Sequence, residues 1–180
     1  MQQILRVESK EILEQFLFWV SQFDARECKL VTLEGLPHAG KSTLLSFLPA
    51  DQFATVELDR FIHRKADPNH TWAESIPIAE ARERIQELLR GSKILVVEGP
   101  AVWELSKNLF ADVPFSKIKR VYIKQMSRTG TYVDWLAGGI LLDGHLHRSP
   151  YFRSIFQHHS SEPWNEADLI IERLPEDDPE

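Results

Sequence analysis

Apolar residues fall along this chain in two alternating rhythms. Short unbroken runs read as strands buried on both faces, and stretches with apolar residues three or four apart read as helices. The runs are residues 30–34, 53–58, 94–97, 121–123 and 169–171. The helical stretches are residues 41–48, 78–89, 102–110, 132–142 and 151–158. Pro49 and Asp51 stop the first of these helices, and Gly91 stops the second. Residues 65–76 and 144–153 are polar and read as loops, and residues 175–180 form an acidic tail. Residues 3–23 carry Ile4, Leu5, Val7, Ile12, Leu13, Phe16, Leu17, Trp19, Val20 and Phe23 among charges, a spacing that predicts one or two amphipathic helices. Its polar face holds more acids than bases, so packing on the domain is favoured over an anionic membrane surface. Strands alternating with helices predict an α/β fold with a parallel sheet.

Composition narrows the field. A chain of 180 residues suits one domain with a substantial core. The formal net charge of −6 argues against general nucleic-acid binding. No apolar run reaches the length of a membrane span. The single Cys28 and the lack of a signal peptide lead us to expect a cytoplasmic protein.

The chemistry concentrates at residues 35–43. Gly35-Leu36-Pro37-His38-Ala39-Gly40-Lys41-Ser42 fits G-x-x-x-x-G-K-[ST], the phosphate-binding P-loop, between a predicted strand and a predicted helix. Glycines at both ends let the backbone turn tightly and approach a ligand closely. Backbone N–H groups from Gly35 through Thr43, Pro37 excepted, then form an anion nest. Lys41 offers an ammonium to the β/γ-phosphates and Ser42 a hydroxyl to Mg²⁺. The expected ligand is a nucleoside triphosphate with Mg²⁺. Glu34, Asp59 and Glu98 lie at or near strand ends, where open α/β sheets bind ligands. Phosphoryl transfer needs carboxylates for the metal and for an acceptor proton. Glu34, directly before Gly35, has a purely structural reading as well.

These residues, in order, resemble the uridine kinase-like P-loop kinases. The resemblance rests on the loop, the Asp59-Arg60-Phe61 turn, Val96-Val97-Glu98-Gly99 and Pro163-Trp164-Asn165-Glu166-Ala167-Asp168-Leu169-Ile170-Ile171, and runs over about residues 29–173. It implies a three-layer P-loop kinase fold with a five-stranded parallel sheet, here with an extra N-terminal helix over residues 1–27. It also implies ATP with Mg²⁺ as the donor, phosphorylation of a hydroxyl on a small-molecule acceptor, and a lid bearing arginines. Residues 144–153 are the lid-like loop, with Arg148 and Arg153 as the lid arginines and Arg128 as a weaker one. In the implied strand order, Glu98 beside the P-loop strand faces Mg²⁺, through water. Asp59, one strand further out, is the base for the acceptor hydroxyl, and Phe61 packs either the acceptor pocket or the core. Pro37 is closer to adenylate kinase-like loops, and His38 stands where small residues are usual.

Two functional classes remain. A small-molecule kinase is preferred over a nucleotide-binding switch or regulatory ATPase. An N-K-x-D guanine-reading motif is absent. The pairs His145/His147 and His158/His159 fit no zinc pattern and read as solvated loop histidines. Lys117, Lys119, Arg120 and Lys124 read as ordinary surface.

Overall fold

The computed structural model describes residues 2–24, 27–62, 70–99, 101–127, 132 and 150–175. They form one all-parallel sheet of six strands flanked by helices. The strands are β1 (Gln3–Glu8), β2 (Leu30–Glu34), β3 (Phe53–Glu57), β4 (Ile94–Glu98), β5 (Ile118–Gln125) and β6 (Leu169–Leu174). The helices are α1 (Ile12–Val20), α2 (Lys41–Phe47), α3 (Trp72–Ser75), α4 (Ile78–Leu89), α5 (Ser106–Leu109) and α6 (Pro150–Ser161). Across the sheet the order is β1-β6-β5-β2-β4-β3.

The sheet therefore has six strands, not the five expected. The sixth comes from the N-terminal stretch, where a helix was anticipated. Gln3–Glu8 alternates, with Leu5 and Val7 turned inward and Ile4, Arg6 and Glu8 outward, a period of two that the longer helical pattern hides. It pairs with β6 from Gln3↔Leu169 to Glu8↔Leu174. Arg6 faces Glu172 across that ladder, and their side chains bond at 2.7 Å. Charge on this edge discourages pairing with another chain. The helical reading holds over α1, whose Ile12, Phe16, Trp19 and Val20 share one buried side.

Successive residues of each inner strand feed opposite faces of the sheet. Val31, Leu33, Val96, Val121 and Ile123 join Phe16, Trp19, Leu44 and Leu45 from α1 and α2. Leu30, Leu95 and Val97 join Ala81 and Ile85 of α4 and Leu109 of α5 on the other face. Tyr122, between Val121 and Ile123, turns to this second face, where α6 covers it by stacking His158 at 5.7 Å.

Several boundaries move. The helix expected over 102–110 is a run of turns that closes as α5. Within the loop expected over 65–76, Thr71 caps a short helix with a reciprocal Thr71–Glu74 capping box. Residues 151–153, which the sequence placed both in the lid-like loop and in a helix over 151–158, belong to the helix: α6 opens at Pro150 and runs to Ser161. The helix expected over 132–142 falls outside the described residues, except Tyr132, which bridges Met126.

Candidate active site

Strand β2 delivers the chain to a point between β5 and β4. There Glu34 ends the strand and the glycine loop begins. Gly35 has φ +150°, and a Cβ on it would lie 2.5 Å from the carbonyl oxygen of Ile123, so only glycine fits. Gly40, at φ +99°, precedes α2. His38 holds φ +67°, an uncommon conformation for a residue with a side chain, and stays exposed. Leu36 and Ala39 tuck inward, and Leu36 packs on Trp72 of α3 and Ile155 of α6. The loop is thus pinned by its apolar residues while its polar ones remain at its rim.

Lys41 is only 6% exposed. Its ammonium donates to the Leu36 carbonyl at 3.0 Å and lies 4.0 Å from Glu98 Oε2. Ser42 Oγ donates to Glu98 Oε1 at 2.9 Å. Glu98 Oε2 is buried and accepts no hydrogen bond. Burial pushes the Glu98 pKa up; Lys41 and Ser42 oppose this, while Asp59 and Glu57 add to it. Asp59 sits on a 3-10 turn, Leu58–Phe61, directly after β3. Desolvation by its surroundings raises its pKa, Lys41 opposes, and Glu57 adds. The sheet order puts β4 between β2 and β3, so Glu98 lies beside the loop strand and Asp59 one strand further out, as anticipated.

The structure therefore brings together Lys41, Ser42, Asp59 and Glu98 from one helix and two strand ends. A buried carboxylate oxygen that accepts no hydrogen bond, beside a hydroxyl and with a second carboxylate close by, is a hard-oxygen donor set that suits Mg²⁺. It is too small to hold the ion alone. Among the described residues, no group of three or more His, Cys, Asp or Glu is arranged to hold a metal. Phosphate and water must complete the shell, which is how Mg²⁺ is bound at nucleotide sites.

Of the other expected site residues, Phe61 packs on the apolar core of the second face. Arg128 and Arg148 lie outside the described residues, as do the side chain of Arg153 and the histidines at 145 and 147.

A cavity of about 420 Å³ opens on the second face and runs from Glu34 along β5 to Arg120. Trp72, Trp103, Glu104, Arg120, Gln157 and His158 line it. Glu34 is 2% exposed. Its Oε2 accepts the Trp103 backbone N–H at 3.1 Å, and its Oε1 lies 3.2 Å from His158 Nδ1. His158 Nε2 is 2.8 Å from the Tyr122 hydroxyl, which is 2.7 Å from that of Tyr132. Burial raises the Glu34 pKa, and His158 is the main opposing influence. The Trp103 indole N–H donates to Thr32 Oγ1 at 2.9 Å, and the Arg120 guanidinium lies 5.1 Å from that ring's centre.

Two sequence readings are corrected here. His158 is not a solvated loop histidine but 6% exposed within a helix. Arg120 is not ordinary surface but 8% exposed, sandwiched against Trp103 and Phe115 and ion-paired with Glu166. Trp103 and Tyr122 had passed as apolar residues of a helix and a strand. The signal available in the sequence was the polar atom each carries, which needs a partner when buried.

No family model matches this chain, and no curated protein matches it.

Proposed function

We propose that this protein is a phosphotransferase that moves the γ-phosphate of ATP, bound with Mg²⁺, to a hydroxyl of a small molecule. The observation that carries the reading is the convergence of Lys41, Ser42, Asp59 and Glu98 on one glycine loop. The loop N–H groups and Lys41 hold the phosphates. Ser42 and Glu98 would hold Mg²⁺, which supplies positive charge to the phosphate oxygens when bound. Asp59 accepts the acceptor's proton. The hydroxyl oxygen bonds to the γ-phosphorus as the bond from phosphorus to the ADP oxygen breaks. The raised pKa of Asp59 strengthens it as a base, since basicity nearer the working pH favours proton transfer. The acceptor hydroxyl belongs beside Asp59, on the β3 side of the loop.

The test is an ADP-release assay over a panel of nucleosides, sugars and vitamins, beside calorimetric titration of ATP with Mg²⁺. ATP binding and acceptor-dependent ADP release support the reading. ADP release that ignores every acceptor would favour a regulatory ATPase. Failure of ATP to bind would end both.

A further inference from the structure

Arg173 touches the glycine loop from a direction no sequence pattern indicated. It sits near the end of β6, in register with Gln125 of β5 and Val7 of β1. Its carbonyl accepts the Met126 N–H at 2.9 Å, so the backbone is held on both sides. The side chain lies against Gly40. A Cβ at that glycine would be 2.7 Å from Nη1 and 3.7 Å from Cζ. Nη1 also reaches the His38 carbonyl, at a long 3.4 Å. Nε is buried and has no hydrogen-bond partner.

This is an expensive way to leave an arginine. A buried donor without an acceptor forfeits its hydration for nothing. The chain has 27 acidic residues against 21 basic ones, yet among the described residues no carboxylate pairs with Arg173. Its neighbour Glu172 is engaged with Arg6 instead. The guanidinium is held against the glycine loop, whose N–H groups we read as an anion nest. A guanidinium presents a fixed planar fork that fits phosphate oxygens.

The strand order gives its position a direction. Glu98 and Asp59 approach the loop from the β4 and β3 side, and Arg173 approaches from the β6 side. The transferring phosphate belongs with the carboxylates. Beside Arg173 is instead a groove of about 680 Å³ between α1 and α2, lined by Lys10, Leu13, Thr43, Leu44 and Phe47. Its apolar walls and size suit a nucleoside.

We propose that Arg173 is a second phosphate cation of this site and binds the nucleoside-proximal phosphate. The N-terminal unit β1–α1 then forms the outer wall of the nucleoside groove. This inference rests on reading the loop as a triphosphate site.

Calorimetric titration of ATP, ADP, AMP and adenosine into wild type, Arg173→Met and Arg173→Lys tests it, with thermal melts to confirm folding. Arg173→Met should weaken ATP, ADP and AMP alike by tenfold or more and leave adenosine unchanged. Arg173→Lys should recover part of the loss, because the charge remains without the fork. Under turnover the KM for ATP should rise while kcat stays within about threefold. An ATP affinity unchanged in a folded Arg173→Met variant would overturn the inference and leave the triphosphate reading intact. So would a loss confined to ATP, which would put Arg173 at the transferring phosphate. If Arg173→Met does not fold, Arg173→Lys alone decides: AMP affinity equal to wild type would overturn the inference. Wild type that binds no nucleotide would instead remove the reading beneath it.

Discussion

The glycine loop and the cavity over β5 share one residue, Glu34, and are built in opposite ways. The loop is local. Six consecutive residues, Gly35–Gly40, make the turn between β2 and α2. Its chemical partners Asp59 and Glu98 stand where their own strands run out. The cavity is non-local. Glu34, Trp103, Tyr122 and His158 come from four separated segments and meet only when α6 lies on the sheet. Near the loop, polar atoms are left partly unmatched: Glu98 Oε2 and Arg173 Nε have no hydrogen-bond partner. In the cavity, the Glu34–His158–Tyr122 chain is matched at each link. Unmatched buried polar atoms are poised for a ligand, while matched ones fix the shape of a wall.

That division can be broken by mutation. The largest effects should come from the loop side. Lys41→Ala should lower kcat/KM by about a thousandfold or more, since it removes the ammonium that the proposed function assigns to the phosphates. Asp59→Asn should lower kcat by about a hundredfold or more with ATP affinity nearly unchanged. Steady-state kinetics with an acceptor-saturated assay reads both. An Asp59→Asn enzyme with full kcat would move the base elsewhere.

The cavity side should show itself in stability first. His158→Ala removes the buried partner of Glu34 Oε1 and of the Tyr122 hydroxyl, a loss of about 2 kcal/mol. Denaturant melts measure it, and calorimetry should find ATP affinity nearly unchanged. A His158→Ala variant that lost ATP binding while staying fully folded would merge the two regions.

A smaller effect is expected at the metal. Glu98→Gln keeps the shape and one acceptor but removes the charge, so the Mg²⁺ concentration for half-maximal rate should rise about tenfold. Mg²⁺ titrations of Glu98→Gln and Asp59→Asn side by side sharpen the assignment. Finding the metal defect in Asp59→Asn and a pure rate defect in Glu98→Gln would exchange the two roles.

The smallest effect belongs to neither region. Burial pushes the Cys28 thiol up from 9.0 to about 11, so the folded state keeps a proton that the unfolded chain releases. Its contribution to stability is therefore complete below pH 9 and is lost as the pH climbs through 11. Cys28→Ala should flatten that alkaline decline, read from melts between pH 8 and pH 11 in about one-unit steps. ATP binding at neutral pH should not change.

Much of the loop side was legible because its determinants are short in range. The run 30–34 could be read as a buried strand, and it is buried at every residue. The glycine spacing, the following helix and the two strand-end carboxylates needed nothing beyond neighbouring residues. The extra strand was missed because α1 follows it almost without a break. A window spanning both blends a period of two into a helical one. Arg120 was misread because charge in a sequence suggests surface, whereas a guanidinium can lie buried between aromatic faces with its charge matched.

The sequence by itself determined the alternation of strands and helices, the one glycine loop, and the acids that follow β3 and β4. Those follow from the periodicity of side chains and from the conformations open to glycine, both properties of adjacent residues. The tertiary structure alone decided that β1 joins the sheet beside β6, that His158 meets Glu34, and that Arg173 lies on Gly40. Each joins residues more than a hundred positions apart, and no local preference specifies such a pair. They exist because the strand order and the docking of α6 bring those backbones together, and burial then makes each polar atom's partner, or lack of one, matter.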